Sequence, residues 1–310
     1  MLRKIAAFLL LLPLFLHPLQ AGVWDQIKSV FSKSPKTRVP TIKVLVAHDL
    51  EEIKLKVEGK HYIYDPYTKE HLSTHYYGKE AYIRALPSGI KWGEEFPGVY
   101  QVKIIPDSDD GTVWLDGVEY KGSIVVYDIG ESISVVNEVD IEEYVRSVLC
   151  TQLENPLPNE ALAAVVIATR TQAYHQAFSA SNPYWTVDAH QFGYHGGISR
   201  PKIPGLLETI NATRFMILSK TGIYERILTP LPVVMIFDAS KPRGKKQQRF
   251  VVDVARDLAL KGFNAARILT QAFPNTSIQL TFDPQSYNYG ESKLMVDQNA
   301  SSKKQGQENI

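Results

Sequence analysis

The stretch Val136–Tyr174, VNEVDIEEYVRSVLCTQLENPLPNEALAAVVIATRTQAY, is where the hydrophobic period of this chain changes from two to about 3.6. Before Asp140 the run ISVVNEV (133–139) reads as a buried strand. After it, Ile141, Tyr144, Val145, Val148 and Leu149 fall on one face of a helix. That helix cannot pass Pro156. The residue before a proline is pushed out of the helical region, so Asn155 and its neighbours form a loop that runs to Pro158. Asn159 reads as the N-cap of a second helix, EALAAVVIATRTQAYHQA, whose Ala161, Ala164, Ala168 and Ala173 let another backbone approach closely. A small-residue helix of this kind is expected at the centre of a fold.

Toward the N-terminus, residues 41–139 carry short runs rich in Val, Ile and Tyr: IKVLVAH, IKLKVEG, HYIYD, YQVKIIP, TVWLDG and GSIVVYD. Asp110-Gly111, Asp116-Gly117 and Ile129-Gly130 stand where hairpins reverse. Toward the C-terminus, PVVMIFDAS reads as a buried strand, VVDVARDLALKG as a helix stopped by Gly262, and AARILTQAF as a last short helix. The fold class is therefore α+β, in a domain over 41–290 with a β-rich part at 41–139 and a helical and mixed part at 140–290. Residues 291–310 form a polar tail expected to be disordered.

Residues 1–21 have the layout of a secretory signal peptide: Arg3 and Lys4, an apolar run from Ile5 to Leu16, Pro18, and small Ala21. Pro13 and His17 interrupt that run, which is short of the ~20 residues that span a bilayer. An exported protein of the periplasm or cell envelope is expected. In 22–40, Trp24, Ile27, Val30 and Phe31 make an amphipathic stripe before a Pro-broken linker. The stripe either packs on the domain or lies on a membrane surface.

The chain of 310 residues carries 34 Lys and Arg against 33 Asp and Glu, and 44% of its residues are hydrophobic. That composition excludes disorder as the main state, and the balanced charge offers nucleic acid no basic surface. Cys150 is the single cysteine, so no intrachain disulfide forms and no multi-thiolate metal site is available. His175, His190, His195 and Asp188 fit no ligand spacing. No metal or other cofactor is expected.

From Val136 to Gly197 the chain resembles the stage II sporulation protein D and amidase-enhancer family of bacterial cell-wall proteins. Asn137, Glu142, Tyr144, Pro158, Glu160, Ala161, Leu162, Arg170 and Thr171 match that family's pattern in order and spacing. DAHQFGYHGG (188–197) matches its later Gln-x-Tyr-x-Gly element more loosely through Gln191 and Gly196 or Gly197. The resemblance implies work on peptidoglycan outside the cytoplasmic membrane, in a septal or sporulation-like setting, with the helical pair lining a glycan groove. The chemistry it implies is lytic cleavage of denuded glycan strands. One carboxylic acid protonates the glycosidic oxygen and then draws a proton from the sugar's C6 hydroxyl, closing an anhydro ring. Some members bind the wall or stimulate an amidase instead, so the implied partners are glycan strands and an amidase or septal machinery.

The family's acid is the Glu of a Glu-Met-Pro element, and counting from Glu142 and Tyr144 places Gln152 at that position. An amide keeps the shape of a carboxyl but cannot cycle a proton. Glu154 could substitute if the helix ended before it. The candidate catalytic positions are thus Gln152 and Glu154. The candidate sugar contacts are Glu142, Tyr144, Arg170, Gln191 and Tyr194. Two of these have a structural reading as well: Glu142 suits the first turn of its helix, and a buried Arg170 requires a partner, Glu142 or Glu160. The family's late Gly-His-Gly element is absent; the basic stretch KPRGKKQQRF (241–250) stands in its place.

Overall fold

The computed structural model describes residues 40–108, 111–197, 203–220, 230–237 and 248–281. The expected signal peptide, all of the amphipathic segment and linker before Pro40, Asp110 of the first turn, most of KPRGKKQQRF and the polar tail lie outside the described residues.

The β-rich part consists of β1 (Thr41–Leu50), β2 (Glu52–Val57), β3 (His61–Tyr64), β4 (His71–His75), β5 (Lys79–Leu86), β6 (Gly89–Trp92), β7 (Glu94–Pro97), β8 (Gln101–Pro106), β9 (Thr112–Leu115), β10 (Val118–Lys121), β11 (Ser123–Asp128) and β12 (Ile133–Asp140). With β13 (Val187–Asp188) they form a seven-stranded sheet of order β13-β1-β12-β11-β8-β3-β4 and a six-stranded sheet of order β10-β9-β2-β5-β6-β7. Period-two alternation puts Ile53, Leu55 and Val57 of β2, Val102 and Ile104 of β8, and Val113 and Leu115 of β9 into one shared core with Ile83 and Trp92. Asp116 and Gly117, both at positive φ, make the two-residue reversal between β9 and β10.

The strands β11 and β12 are buried along most of their length. Val135 faces the core between the sheets, whereas Val139, with Ile42 and Val44 of β1, belongs to a second core built on the helices. These helices are α1 (Ile141–Gln152), α2 (Asn159–Phe178), α3 (Ala189–Phe192), α4 (Leu206–Ala212), α5 (Val252–Leu260) and α6 (Ala265–Ala272). The remaining strands are β14 (Met216–Lys220), β15 (Val233–Ile236), β16 (Gln248–Val251) and β17 (Thr276–Leu280), paired as β14 with β17 and β15 with β16. The result is a mixed α/β protein with a β-rich N-terminal part and several helices.

As its alanines require, α2 is central. It packs against α1, α4, α5, α6, β14 and β15, and is buried on nearly every side. Three details differ from the sequence reading. Pro158, not Asn159, is the N-cap, and it has no side-chain cap bond; proline fits there because the N–H it lacks would go unpaired in any case. The alanines belong to α2 alone, since α1 has none, so the two helices are not an Ala-rich pair. In β15 only Val233 is fully buried, because a two-stranded sheet covers little of its other residues. Among the described residues no helix is long and apolar enough to cross a membrane.

His61 is completely buried between the sheets, stacked on His75 with ring centroids 5.0 Å apart and tilted against Trp92 at 5.4 Å. Its Nδ1 faces the Gly59 carbonyl at 3.0 Å, while Nε2 has no hydrogen-bond partner. Burial pushes the imidazole below the ordinary histidine range, and the nearby His75 and Lys79 push the same way against Glu94. A depressed pKa means that the unfolded chain takes up the proton first. The stability this histidine contributes is thus complete above about pH 6.5 and is lost as the pH falls toward its folded value. Urea midpoints are expected to drop between pH 7.5 and pH 5.5, and His61→Phe should flatten that slope. Equal slopes in both proteins would assign the effect to another group.

Candidate functional site

The site is built on the end of α1. Asp140 caps the helix by accepting from the Glu142 N–H at 2.7 Å, and burial raises the Asp140 carboxyl above its usual range. Ile141, Tyr144, Val145, Val148 and Leu149 face the core, while Glu143 and Arg146 pair one turn apart on the outer face, at 2.6 Å. The helix closes at Gln152. Leu153 is extended, and its N–H returns to the Leu149 carbonyl at 3.0 Å. Asn155-Pro156 gives the reason for this stop. Gln152 is left half-buried on the last helical position, and Glu154 stands exposed beyond it.

The second half of the site arrives from β13, which lies parallel to β1 with Val187 opposite Val44. Asp188 caps α3, accepting from the N–H groups of His190 and Gln191 at 2.8 and 3.4 Å. The chain then turns at Gly193, φ +68°, against the side chain of Gln152. A Cβ on Gly193 would lie 1.9 Å from Gln152 Nε2, so only glycine lets the two meet as they do. Gln191, two residues earlier, is exposed.

Tyr194 anchors this segment from beneath. Its ring stacks on Tyr144 with centroids 5.5 Å apart and planes at 21°, and its hydroxyl donates to Asn137 Oδ1 at 2.5 Å. The Asn137 amide is oriented by its other end, since Nδ2 donates to the carbonyls of Lys121 and Ser123 at 2.9 and 3.0 Å. Burial pushes both phenols well above the ordinary tyrosine range, so both stay neutral. Further on, the His195 N–H donates to Ser147 Oγ at 3.2 Å and the Gly197 N–H to the Glu119 carbonyl at 2.6 Å. The segment 193–197 is thereby fastened to α1, β10 and β12, and Gln152 lies on a preorganised turn.

Glu142 and Arg170 meet each other instead. Arg170 has 0% exposure; its Nε and Nη2 grip the two Glu142 carboxylate oxygens at 2.7 and 2.8 Å. Its remaining donors reach the carbonyls of Ile210, Thr213 and Met216. All of the Arg170 N–H groups are thus engaged inside the protein, as the structural reading of this residue requires, with Glu142 and not Glu160 as the partner. Glu160 accepts from the Ala265 N–H at 2.7 Å and so ties α2 to α6. Tyr144 and Tyr194 are likewise buried under the site, where they support it and present no face to a ligand. Among the described residues no three of the His, Cys, Asp and Glu side chains gather as metal ligands.

The 193–197 segment lies far along the chain from Asn137, Tyr144 and Gln152 and meets them here. The family model named SpoIID, stage II sporulation protein, matches residues 130–219, which contain all of them. The chain belongs to the SpoIID family. Membership in SpoIID points to cell-wall or sporulation-related work. An uncharacterized protein of Chlamydia pneumoniae is 31% identical over 251 residues, 80% of this chain and 84% of that one. One of Chlamydia muridarum is 27% identical over 241 residues, 77% of each chain. One of Brachyspira hyodysenteriae is 39% identical over 101 residues, 32% of this chain and 27% of that one. No solved structure matches the chain.

Sequence reasoning missed Gly193 and Ser147, which hold the candidate site together. Gly193 had a visible signal, a glycine directly before the family tyrosine. Ser147 had none, because a serine on an amphipathic helix is unremarkable until the neighbour that it binds is known.

Proposed function

We propose that this SpoIID protein is exported to the cell envelope and there binds denuded peptidoglycan strands in septal wall turnover, with Gln152 as a sugar-holding amide. The observation that carries the reading is the placement of Gln152: half-buried at the end of α1 and laid on Gly193, at the position that the family resemblance gives to the acid. An amide there donates and accepts hydrogen bonds without moving a proton. Gln191, exposed two residues before Gly193, would extend the polar surface. The signal-like start supports export. In this reading the protein holds strands for an amidase or other septal partner.

A second reading has its own observation. The helix does end before Glu154, which frees that carboxylate from the helical constraint and exposes it two residues beyond the family position. Glu154 would then be a relocated proton donor, and the protein a lytic transglycosylase.

Retention on two wall preparations tests the common part of both. Purified protein should be held better by denuded glycan than by intact peptidoglycan. Gln152→Ala should weaken the interaction by no more than the ~1–3 kcal/mol of one lost polar partner. Equal retention of the wild type on both preparations would count against glycan recognition of this kind.

A further inference from the structure

At the far corner of the β-rich part lies a group of titratable side chains that the Gln152 surface does not use. His61 of β3 and His75 of β4 are ladder partners in the seven-stranded sheet, with their rings parallel to within 8°. Lys79 of β5, Trp92 of β6 and Glu94 of β7 face them from the six-stranded sheet. Glu94 Oε1 accepts from His75 Nε2 at 2.7 Å and from Lys79 Nζ at 3.1 Å, and the same ammonium lies 4.5 Å from the centroid of the Trp92 ring. Ser73 Oγ stands 3.4 Å from His75 Nε2, and β8 brings Pro106 opposite His61. Lys60 is turned to the other face of the sheet, where its ammonium lies over the Tyr62 ring.

This corner is closed to a further proton. The Nδ1 of His61 faces the Gly59 carbonyl and so carries the N–H of the neutral ring. A second proton would have to sit on Nε2, which is buried with no hydrogen-bond partner. A charged His61 would also lie 5.0 Å from the His75 ring and close to Lys79, while Glu94, the acid that faces the group, already serves both of those. In water the same imidazole takes its proton near pH 6.5. Acid therefore favours any state in which the corner has opened. The topology lets that state fall short of unfolding. Strand β4 ends the seven-stranded sheet and β7 ends the six-stranded one, so each is held by a ladder on one side alone.

We propose that His61, His75, Lys79 and Glu94 form an acid-released latch between the two sheets, whose opening parts the β3–β4 edge from the β6–β7 edge while the remaining fold stays closed. This goes beyond the dependence of overall stability on His61, which any buried neutral histidine would produce. The latch is remote from the Gln152 surface, since β10 is the opposite edge of the six-stranded sheet from β7, and β11, β8 and β3 separate β12 from β4.

Amide hydrogen exchange in the purified chain, corrected for the intrinsic pH dependence of exchange, tests the latch. Amides of β3, β4, β6 and β7 should lose about tenfold in protection between pH 7.5 and pH 5.5, the most that one histidine supplies one unit below its ordinary value. Dilute urea should scarcely change their exchange, because a parted corner exposes little surface, whereas it should accelerate exchange in α2 steeply. His61→Phe should keep its pH 7.5 protection at pH 5.5. Glu94→Gln, at a side chain 43% exposed, tests the same latch without touching the core: with the counter-charge gone, the loss should begin at higher pH. The proposal fails if the β4 and β7 amides share the urea dependence of α2, since the opening is then global. It fails equally if folded His61→Phe loses protection as the wild type does, or if Glu94→Gln leaves the pH of the loss unchanged.

Discussion

Gln152→Glu is expected to raise the release of anhydro-muramyl ends from denuded glycan by ~100- to 10,000-fold, the range that acid–base assistance commonly supplies. The position is held in place by Gly193 behind it and by α1 before it, so the substitution changes one atom of the side chain and adds no bulk. A carboxyl half-buried at this helix end would have its pKa raised by desolvation, which keeps it protonated near neutral pH as a general acid must be. If Glu154 already supplies the proton, the pattern reverses. Wild type is then active, Glu154→Gln abolishes activity, and Gln152→Glu adds little or interferes through coupling of two nearby carboxyls. Should wild type and both variants remain folded by circular dichroism and none release anhydro ends, both cleavage schemes are finished and strand holding remains.

The largest effect on stability is expected at Arg170. Its removal strands the Glu142 carboxylate in the core beside three carbonyls that lose their donor, and breaking one side of a buried pair costs about 3–5 kcal/mol. For a chain of this size Arg170→Ala should melt ~10 °C or more below the wild type. Replacing both Glu142 and Arg170 by leucine and methionine removes the orphaned charge but still strands the carbonyls of Ile210, Thr213 and Met216. That double variant should recover only part of the loss. Glu160→Gln, at an exposed contact between helices, should move the midpoint little by comparison. A melting temperature for Arg170→Ala within ~2 °C of wild type would show that the pair is dispensable.

The helices illustrate what could be read from the chain and why. The end of α1 was legible because proline acts on its immediate predecessor, a local steric effect that needs no tertiary partner. The centrality of α2 followed from its small side chains, which pay off only when other backbones approach from several sides. The partner of Arg170 was legible only as a requirement. A buried guanidinium must be paired, but the choice between Glu142 and Glu160 depends on the crossing of α1 and α2, and no spacing along the chain encodes it. Tyr144 and Tyr194 misled in the same way. A tyrosine in a sugar-binding pattern suggests a stacking platform, yet these two stack on each other under the turn.

The sequence by itself determined the alternation that makes the strands, the proline that stops α1, the small-residue helix of the core, and the amide at Gln152 where the family resemblance puts an acid. Each depends on a residue type or on a spacing within one element. The tertiary structure alone decided that Gly193 meets Gln152, that Tyr194 reaches Asn137, and that Glu142 closes on Arg170 while Glu154 is left in solvent. Those contacts join residues dozens of positions apart. Their geometry is set by how helices and sheets pack to bury apolar surface and to pair most of the polar groups buried with it.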